Sequence, residues 1–474
     1  MSSIFDRPIL NAPYAYPAQH WQLTPDGQPT DHRVRTRRLA EFLTPIPKPK
    51  KRRKSQADRD EPAEQQELTL FDTAGISDDS QTYDLSLFIN SVRKQVDRWR
   101  NLPPNQWKVT PTTARLLDYW RNHDFQGIRP FFCQLEAVET AIWLTEVAPT
   151  GTNKERAFIH HLNTVNGEAN PALWRVCLKL ATGAGKTTVM AMLIAWQTLN
   201  AVRSPQSSRF TKGFLIVTPG ITIRDRLRVL QPNDTENYYG TRELVPLDWL
   251  SELQKAKIVI TNYHAFKRRE RLTIASGTRK LIEGHEGEFS TLETEGQMLQ
   301  RVMPELLGLK NIIVLNDEAH HCYREKSKGE EEQNFTGDDK TEAESNNAAA
   351  RLWISGLEIV QQRFGVRVVL DLSATPFFLR GSGYAEGTLF PWTVSDFSLM
   401  DAIECGIVKL PRVPVADNVP GAEMPKFREL WAHVAKKMPK KGRGKAKTLD
   451  PLSLPVELTT AIDALYGHYR QTLE

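Results

Sequence analysis

Cysteine is scarce and scattered in this chain. The four, Cys133, Cys177, Cys322 and Cys405, lie far apart and none forms a C-x-x-C pair. That excludes a disulfide framework or a cysteine-built zinc site as the expectation, and it predicts a reducing, cytoplasmic setting. Long apolar runs are missing as well. No stretch approaches the ~20 apolar residues that span a bilayer, and no apolar export segment stands at the N-terminus, so no membrane association is expected. Excess charge is the third lack. A formal net charge of +5 on 474 residues permits nucleic-acid binding without arguing for it, so that case rests on local patches. What is present, 40% hydrophobic and 25% charged residues, suits a globular protein of two or three domains.

Residues 1–82 read as an extended, poorly ordered arm. Pro8, Pro13, Pro17, Pro25 and Pro29 interrupt any helix. Tyr14, Tyr16, His20, Trp21 and Leu23 suit docking on a neighbouring surface. The proline-interleaved basic run from Pro45 to Lys54, with an acidic stretch after it to Glu67, reads either as a charged linker or as a phosphate-backbone contact.

A globular pattern begins at residue 83 and continues to about 410. Leu85, Leu87, Phe88, Val92, Val96 and Trp99 recur at helical spacing. A second helix follows Thr110 or Thr112, either able to cap it beside Pro111. A third opens after Pro130, with Gln134 at its start, where a planar amide can meet an adenine edge.

The centre of the sequence is Ala181-Thr-Gly-Ala-Gly-Lys-Thr187. The apolar run Val176–Leu180 precedes it and a helical run from Thr188 follows, the strand–turn–helix context of a phosphate loop. Thr182, Gly183, Ala184, Gly185 and Thr188 supply its backbone, Lys186 reaches the β- and γ-phosphates of ATP, and Thr187 ligates Mg²⁺. Four more β-branched runs, at 213–217, 258–260, 311–315 and 366–372, alternate with helical segments. The expected fold is therefore α/β, a parallel sheet wrapped by helices, with ligands at the strands' carboxyl ends.

Polar motifs stand at those ends. Thr218-Pro219-Gly220 and Thr261-Asn262, with the basic Lys267 and Arg268 beyond, are candidates for nucleic-acid contact. Asp317 is placed to hold Mg²⁺ through water and Glu318 to activate the attacking water. His320, with Ser373, Ala374 and Thr375, suits a coupling role between nucleotide state and movement. Residues Arg324 to about Glu344 read as a solvated excursion. Pro391 to Gly406 reads as containing one helix. Beyond 410, residues 411–474 hold a basic loop, Lys436 to Lys447, and a last helix from Val456 to Leu473 with an apolar stripe.

ATGAGKTT, TPG, TNYH, DEAH and SATP, in that order with Gln134 upstream, resemble the first RecA-like domain of superfamily 2 helicases over roughly Arg129 to Pro376. ATGAGKT, TNYH and DEAHHCYR look most like the Res subunit of type III restriction enzymes. The passage Asp396 to Pro411 is similar to that family's lead into its second RecA-like domain. The resemblance implies an ATP-dependent DNA helicase or translocase acting on duplex DNA. It implies as partners a second polypeptide, or a C-terminal half, carrying the second RecA-like domain and a nuclease, and a modification subunit. Neither of those two domains is found after the motor in this sequence, so residues 411–474 are expected to be a linker into an absent domain. Two other readings share these motifs: an ATP- and DNA-binding module with little activity alone, and a duplex-RNA-activated ATPase.

Overall fold

The computed structural model describes residues 4–24, 27–40, 85–271, 291–326, 338–410, 430–438, 440–441, 448–449 and 453–473. The basic runs at 45–54 and 279–280, the acidic cluster at 330–332 and residues 442–447 lie outside them.

In chain order the elements are a hairpin of β1 (His20–Leu23) and β2 (Pro29–Val34), then α1 (Leu85–Arg100), α2 (Pro111–Asn122), α3 (Phe132–Ile142) and α4 (Asn153–Ala169). There follow β3 (Arg175–Leu180), α5 (Lys186–Arg203), β4 (Gly213–Thr218), α6 (Ile221–Arg226), α7 (Tyr238–Thr241), α8 (Leu250–Leu253) and β5 (Lys257–Asn262). A two-residue pair, β6 (Glu270–Arg271) and β7 (Thr291–Leu292), leads to α9 (Glu295–Val302), β8 (Ile312–Asp317), α10 (Asp338–Phe364), β9 (Val366–Ser373), β10 (Thr393–Phe397) and α11 (Leu399–Glu404).

The central sheet has the order β10-β3-β9-β8-β4-β5, with every pair parallel. The expected α/β fold is thus the observed one. β3, β4 and β8 are buried along their whole length, because helices cover both faces and leave no solvent side for alternation. β4 sends Phe214 and Ile216 into the core beneath α3 and α5, and Leu215 and Val217 into the core beneath α9 and α10. Because all six strands run the same way, their carboxyl ends share one rim.

Thr110 caps α2, its side chain accepting from the Thr113 N–H, with Pro111 in the first turn. α10 starts at Asp338, so the stretch expected as a solvated excursion as far as Glu344 is already helical by its end.

The sixth strand, β10, was not expected. Thr393-Val-Ser-Asp-Phe397 carries a serine and an aspartate, which read as surface, yet all five residues are buried. The reason lies on β3. Lys179 reaches across and pairs with Asp396, so the charge of this edge strand is met internally.

The arm lies against this body within residues 4–24 and 27–40. Trp21 is fully buried, and its backbone N–H donates to Glu404 of α11. Arg38 donates to the same carboxylate at 2.6 Å. Arg37 forks onto both oxygens of Glu136 on α3 at 2.5 Å. Tyr16 packs on Phe132 and its hydroxyl donates to Asp97.

Residues 410–474 form a separate compact unit. It holds α12 (Leu430–Val434), the pair β11 (Lys440–Lys441) and β12 (Thr448–Leu449), and α13 (Val456–Leu473). Lys437 pairs with Glu457 there. The apolar stripe of α13 is exposed at Ile462, Leu465 and Tyr466.

Candidate nucleotide site

β3 ends at Leu180 and α5 begins at Lys186, so five residues make the turn between a buried strand and a buried helix. Gly183 (φ 86°) and Gly185 (φ 82°) both hold left-handed backbone. Gly185 is fixed twice over. A Cβ there would be strained by that φ and would also come within 2.2 Å of the Gln134 amide nitrogen. The curl leaves Thr182 and Gly183 exposed, Ala184 buried, and Lys186 and Thr187 half-buried at the first turn of α5. Successive N–H groups at a helix N-terminus make an anion cradle.

Gln134 is buried. Its Oε1 accepts from the Phe131 N–H at 3.0 Å and its Nε2 donates to the Ala184 carbonyl at 2.8 Å. It therefore ties α3 to the phosphate loop.

Opposite the loop, β8 delivers Asp317 and Glu318. Lys186 Nζ lies 2.8 Å from Glu318 Oε1. Glu318 has φ 51° and ψ 50°, left-handed backbone in a residue with a full side chain. That twist turns its carboxylate out of the strand direction and towards Lys186. Asp317 is largely buried, and its Oδ1 has no hydrogen-bond partner. Burial, with the Glu318 charge next to it, pushes its carboxyl up to about 6. A buried carboxylate oxygen with no partner, next to Glu318 and close to Lys186 of the phosphate loop, is a fit for a hard cation such as Mg²⁺. Among the described residues no cluster of three or more metal-binding side chains exists, so such an ion would complete its shell with nucleotide oxygens and water.

His320 Nδ1 lies 3.0 Å from Ser373 Oγ, which also accepts from the Thr375 N–H at 3.1 Å. The acidic turn after β8 and the turn after β9, with the half-buried Ala374 and exposed Thr375, are therefore in contact. Burial, with His321 alongside, pushes the His320 imidazole down to about 4, so the ring is neutral near pH 7. Cys322 is buried and its carbonyl accepts from Arg175.

On the same rim, Thr218 Oγ1 donates to the Gly220 carbonyl, bridging Pro219, and the Asn262 side chain accepts from the Ala265 N–H. Thr218 and Thr261 are buried, so their hydroxyls shape turns instead of facing outward. Lys267 and Arg268 are exposed, and Arg268 Nε donates to the Glu293 carbonyl. These residues thus lie along one edge, but only the two basic ones project.

One residue beside the site gave no motif signal. Arg242, just past α7, donates to Thr188 Oγ1 at 3.0 Å and lies 3.6 Å over the Tyr238 ring. Only the fold brings it within reach of the phosphate loop.

A parallel sheet with a glycine-rich loop after β3 and an acidic pair after β8 defines a phosphate-loop nucleotide-binding protein. A family model, type III restriction enzyme, res subunit, matches residues 129–378, more than half of the chain, and the chain belongs to that family, one of helicase superfamily 2. Membership makes it a helicase-like, ATP-binding motor protein of the type III restriction kind, in a family that generally uses ATP and Mg²⁺. No curated protein and no solved structure matches it.

Proposed function

We propose that the chain hydrolyses ATP as the motor of a DNA helicase or translocase in a type III restriction system. The observation that carries this reading is the pairing of Lys186 with Glu318 across a cradle that also holds the orphaned Asp317 oxygen. The gap between the loop and the acidic turn has a cation, a candidate base and a candidate metal ligand within one side-chain length.

Each residue then has one task. The N–H groups of residues 183–188 hold the phosphates, and Lys186 leaves Glu318 for the β/γ oxygens. Glu318, released from that ion pair, is free to orient water and take its proton. Thr187 and Asp317 would hold Mg²⁺, which neutralises charge on the transferring group when bound. His320, bonded to Ser373, links the acidic turn to the segment after β9. On the far side of the rim, Lys267 and Arg268 offer charge to a nucleic-acid backbone, with Thr218 to Gly220 and Thr261 to Asn262 offering backbone groups. Partners carrying a second RecA-like domain, a nuclease and the modification function belong to the same proposal.

The test is nucleotide binding and steady-state phosphate release by purified chain, with and without duplex DNA. Lys186→Ala is expected to abolish both binding and release. Glu318→Gln is expected to keep affinity within about twofold and lower release by roughly 10²-fold or more, the range for losing a general base. Equal binding and turnover in wild type and Lys186→Ala would overturn the site. Stimulation by duplex RNA but not duplex DNA would move the reading to an RNA-activated ATPase.

A further inference from the structure

The acidic turn is held from both ends by one buried ion pair. Arg175 on β3 and Asp371 on β9 have no exposed surface at all, and Arg175 Nε donates to Asp371 Oδ2 at 2.9 Å. Asp371 Oδ1 accepts from the side-chain amide of Asn316, the residue immediately before Asp317, at 2.9 Å. Arg175 donates through Nη2, which also lies 2.9 Å from Asp371 Oδ2, to the carbonyl of Cys322, the residue that ends the turn, at 2.8 Å. Asn316 and Cys322 bracket Asp317 to His321, and both are tied to the same pair. The remaining valences are filled. Trp392 Nε1 donates to Asp371 Oδ2 at 2.8 Å, and Asn170 accepts from Arg175 at 3.2 Å.

The network continues along the same rim. Trp353 on α10, fully buried, donates its indole N–H to Asn316 Oδ1 at 3.2 Å. Its ring is stacked on Tyr263, of the Thr261-Asn-Tyr-His264 segment after β5, at 5.2 Å and an interplanar angle of 3°. Tyr263 is half-buried and His264 beside it is exposed.

A buried ion pair is weak evidence for stability, since desolvation cancels much of its attraction. A fully satisfied buried network instead fixes one geometry. Geometry is what the turn needs, because Glu318 sits in a backbone conformation that persists only where its surroundings over-determine it. We propose that Asn316, Asp371 and Arg175 are positioning residues that clamp the acidic turn in its catalytic shape, and that Trp353 makes this clamp answer to whatever binds beside Tyr263. The second clause rests on the nucleic-acid reading of the Thr261–His264 rim given above. The first rests only on the turn's geometry.

Two substitutions separate the links. Trp353→Phe keeps a ring against Tyr263 and deletes the N–H to Asn316. Asn316→Ala deletes the amide that joins Trp353 to Asp371. Turnover is expected to fall roughly ten- to a hundredfold in each, the scale of misplacing a catalytic group by about 1 Å. The affinity for a fluorescent ATP analogue is expected to stay within twofold, and the double variant to lose little more than either single one, because both cut one chain. Tyr263→Phe, which keeps the stack, is expected to retain DNA stimulation, and Tyr263→Ala to lose it.

A readout independent of turnover is amide hydrogen exchange at residues 317–322, measured by mass spectrometry on the full chain. It is expected to speed up in Trp353→Phe and Asn316→Ala, with the thermal midpoint within a few degrees of wild type. Unchanged exchange there, or losses that add and track nucleotide affinity, would overturn the clamp. If wild-type chain shows no Lys186-dependent phosphate release, the proposed motor activity fails while the exchange result still decides the clamp. DNA stimulation that survives Tyr263→Ala would overturn the Trp353 link.

Discussion

Glu318 carries two burdens that a single substitution can separate. Its side chain pairs with Lys186, and its backbone sits at φ 51°. For a residue with a Cβ the left-handed region costs roughly 1–2 kcal/mol, whereas glycine enters it freely. Glu318→Gly and Glu318→Ala both remove the carboxylate, so both are expected to lose turnover. They are expected to differ in stability. The glycine variant should be the more stable by about 1 kcal/mol, once its looser unfolded chain is counted. Paired urea melts check this. An alanine variant equal to or more stable than the glycine one would mean that the backbone is not strained there. Gln134 shows the same economy at a neighbouring position, since its buried amide spans the gap between Phe131 and the phosphate loop.

Among the elements, β10 depends on one pair. Lys179 is mostly buried and its partner is Asp396. Asp396→Ala would take this carboxylate away from a mostly buried cation, and breaking a buried ion pair by removing one partner costs about 3–5 kcal/mol. A double replacement, Lys179→Met with Asp396→Leu, is expected to recover most of that loss in chemical denaturation. Failure to recover would place the cost elsewhere in the strand.

The arm offers a pH test. Burial pushes the Glu136 carboxyl up, but Arg37 bonded to both its oxygens, with Arg93 and Arg100 near, brings it down to about 2. A depressed carboxyl contributes stability that is complete above its unfolded value, near 4.5, and is lost as pH falls towards 2. Protease cleavage within residues 4–40 is therefore expected to accelerate between those limits. In Arg37→Ala it is expected to be fast already at pH 7.

Which elements the sequence discloses follows from the same physics. β4 and β8 carry apolar runs rich in β-branched residues because both their faces are covered, and the order of strands and helices then leaves a parallel sheet as the natural outcome. β10 is hidden because the residue that makes Asp396 tolerable lies 217 positions away on β3. The Arg175–Asp371 clamp is hidden for the same reason, its halves being 196 positions apart. Lys186, Asp317 and Glu318 are legible because their chemistry is carried by local spacing. The partner of Gln134 and the approach of Arg242 are not, since neither contact has a local pattern.

At the scale of the whole molecule, every motif lies on one rim because the six strands share one direction. The same arrangement seals the thiols. Cys133, Cys177, Cys322 and Cys405 are all free and all buried. Burial raises every one, Cys322 and Cys405 to about 12. The thiolate is the reactive form, so all four should be inert in the folded chain. A thiol-reactive disulfide reagent is expected to find no fast-reacting thiol in native protein and four after unfolding. A rapid native reaction would show that one of these sites opens. If none does, the natural sequence already provides a silent background for site-specific labelling. A cysteine placed at a projecting position such as Leu247, 84% exposed, would be the sole handle for a fluorophore or spin label. Distances across the rim would then be measurable during turnover with every native cysteine left in place.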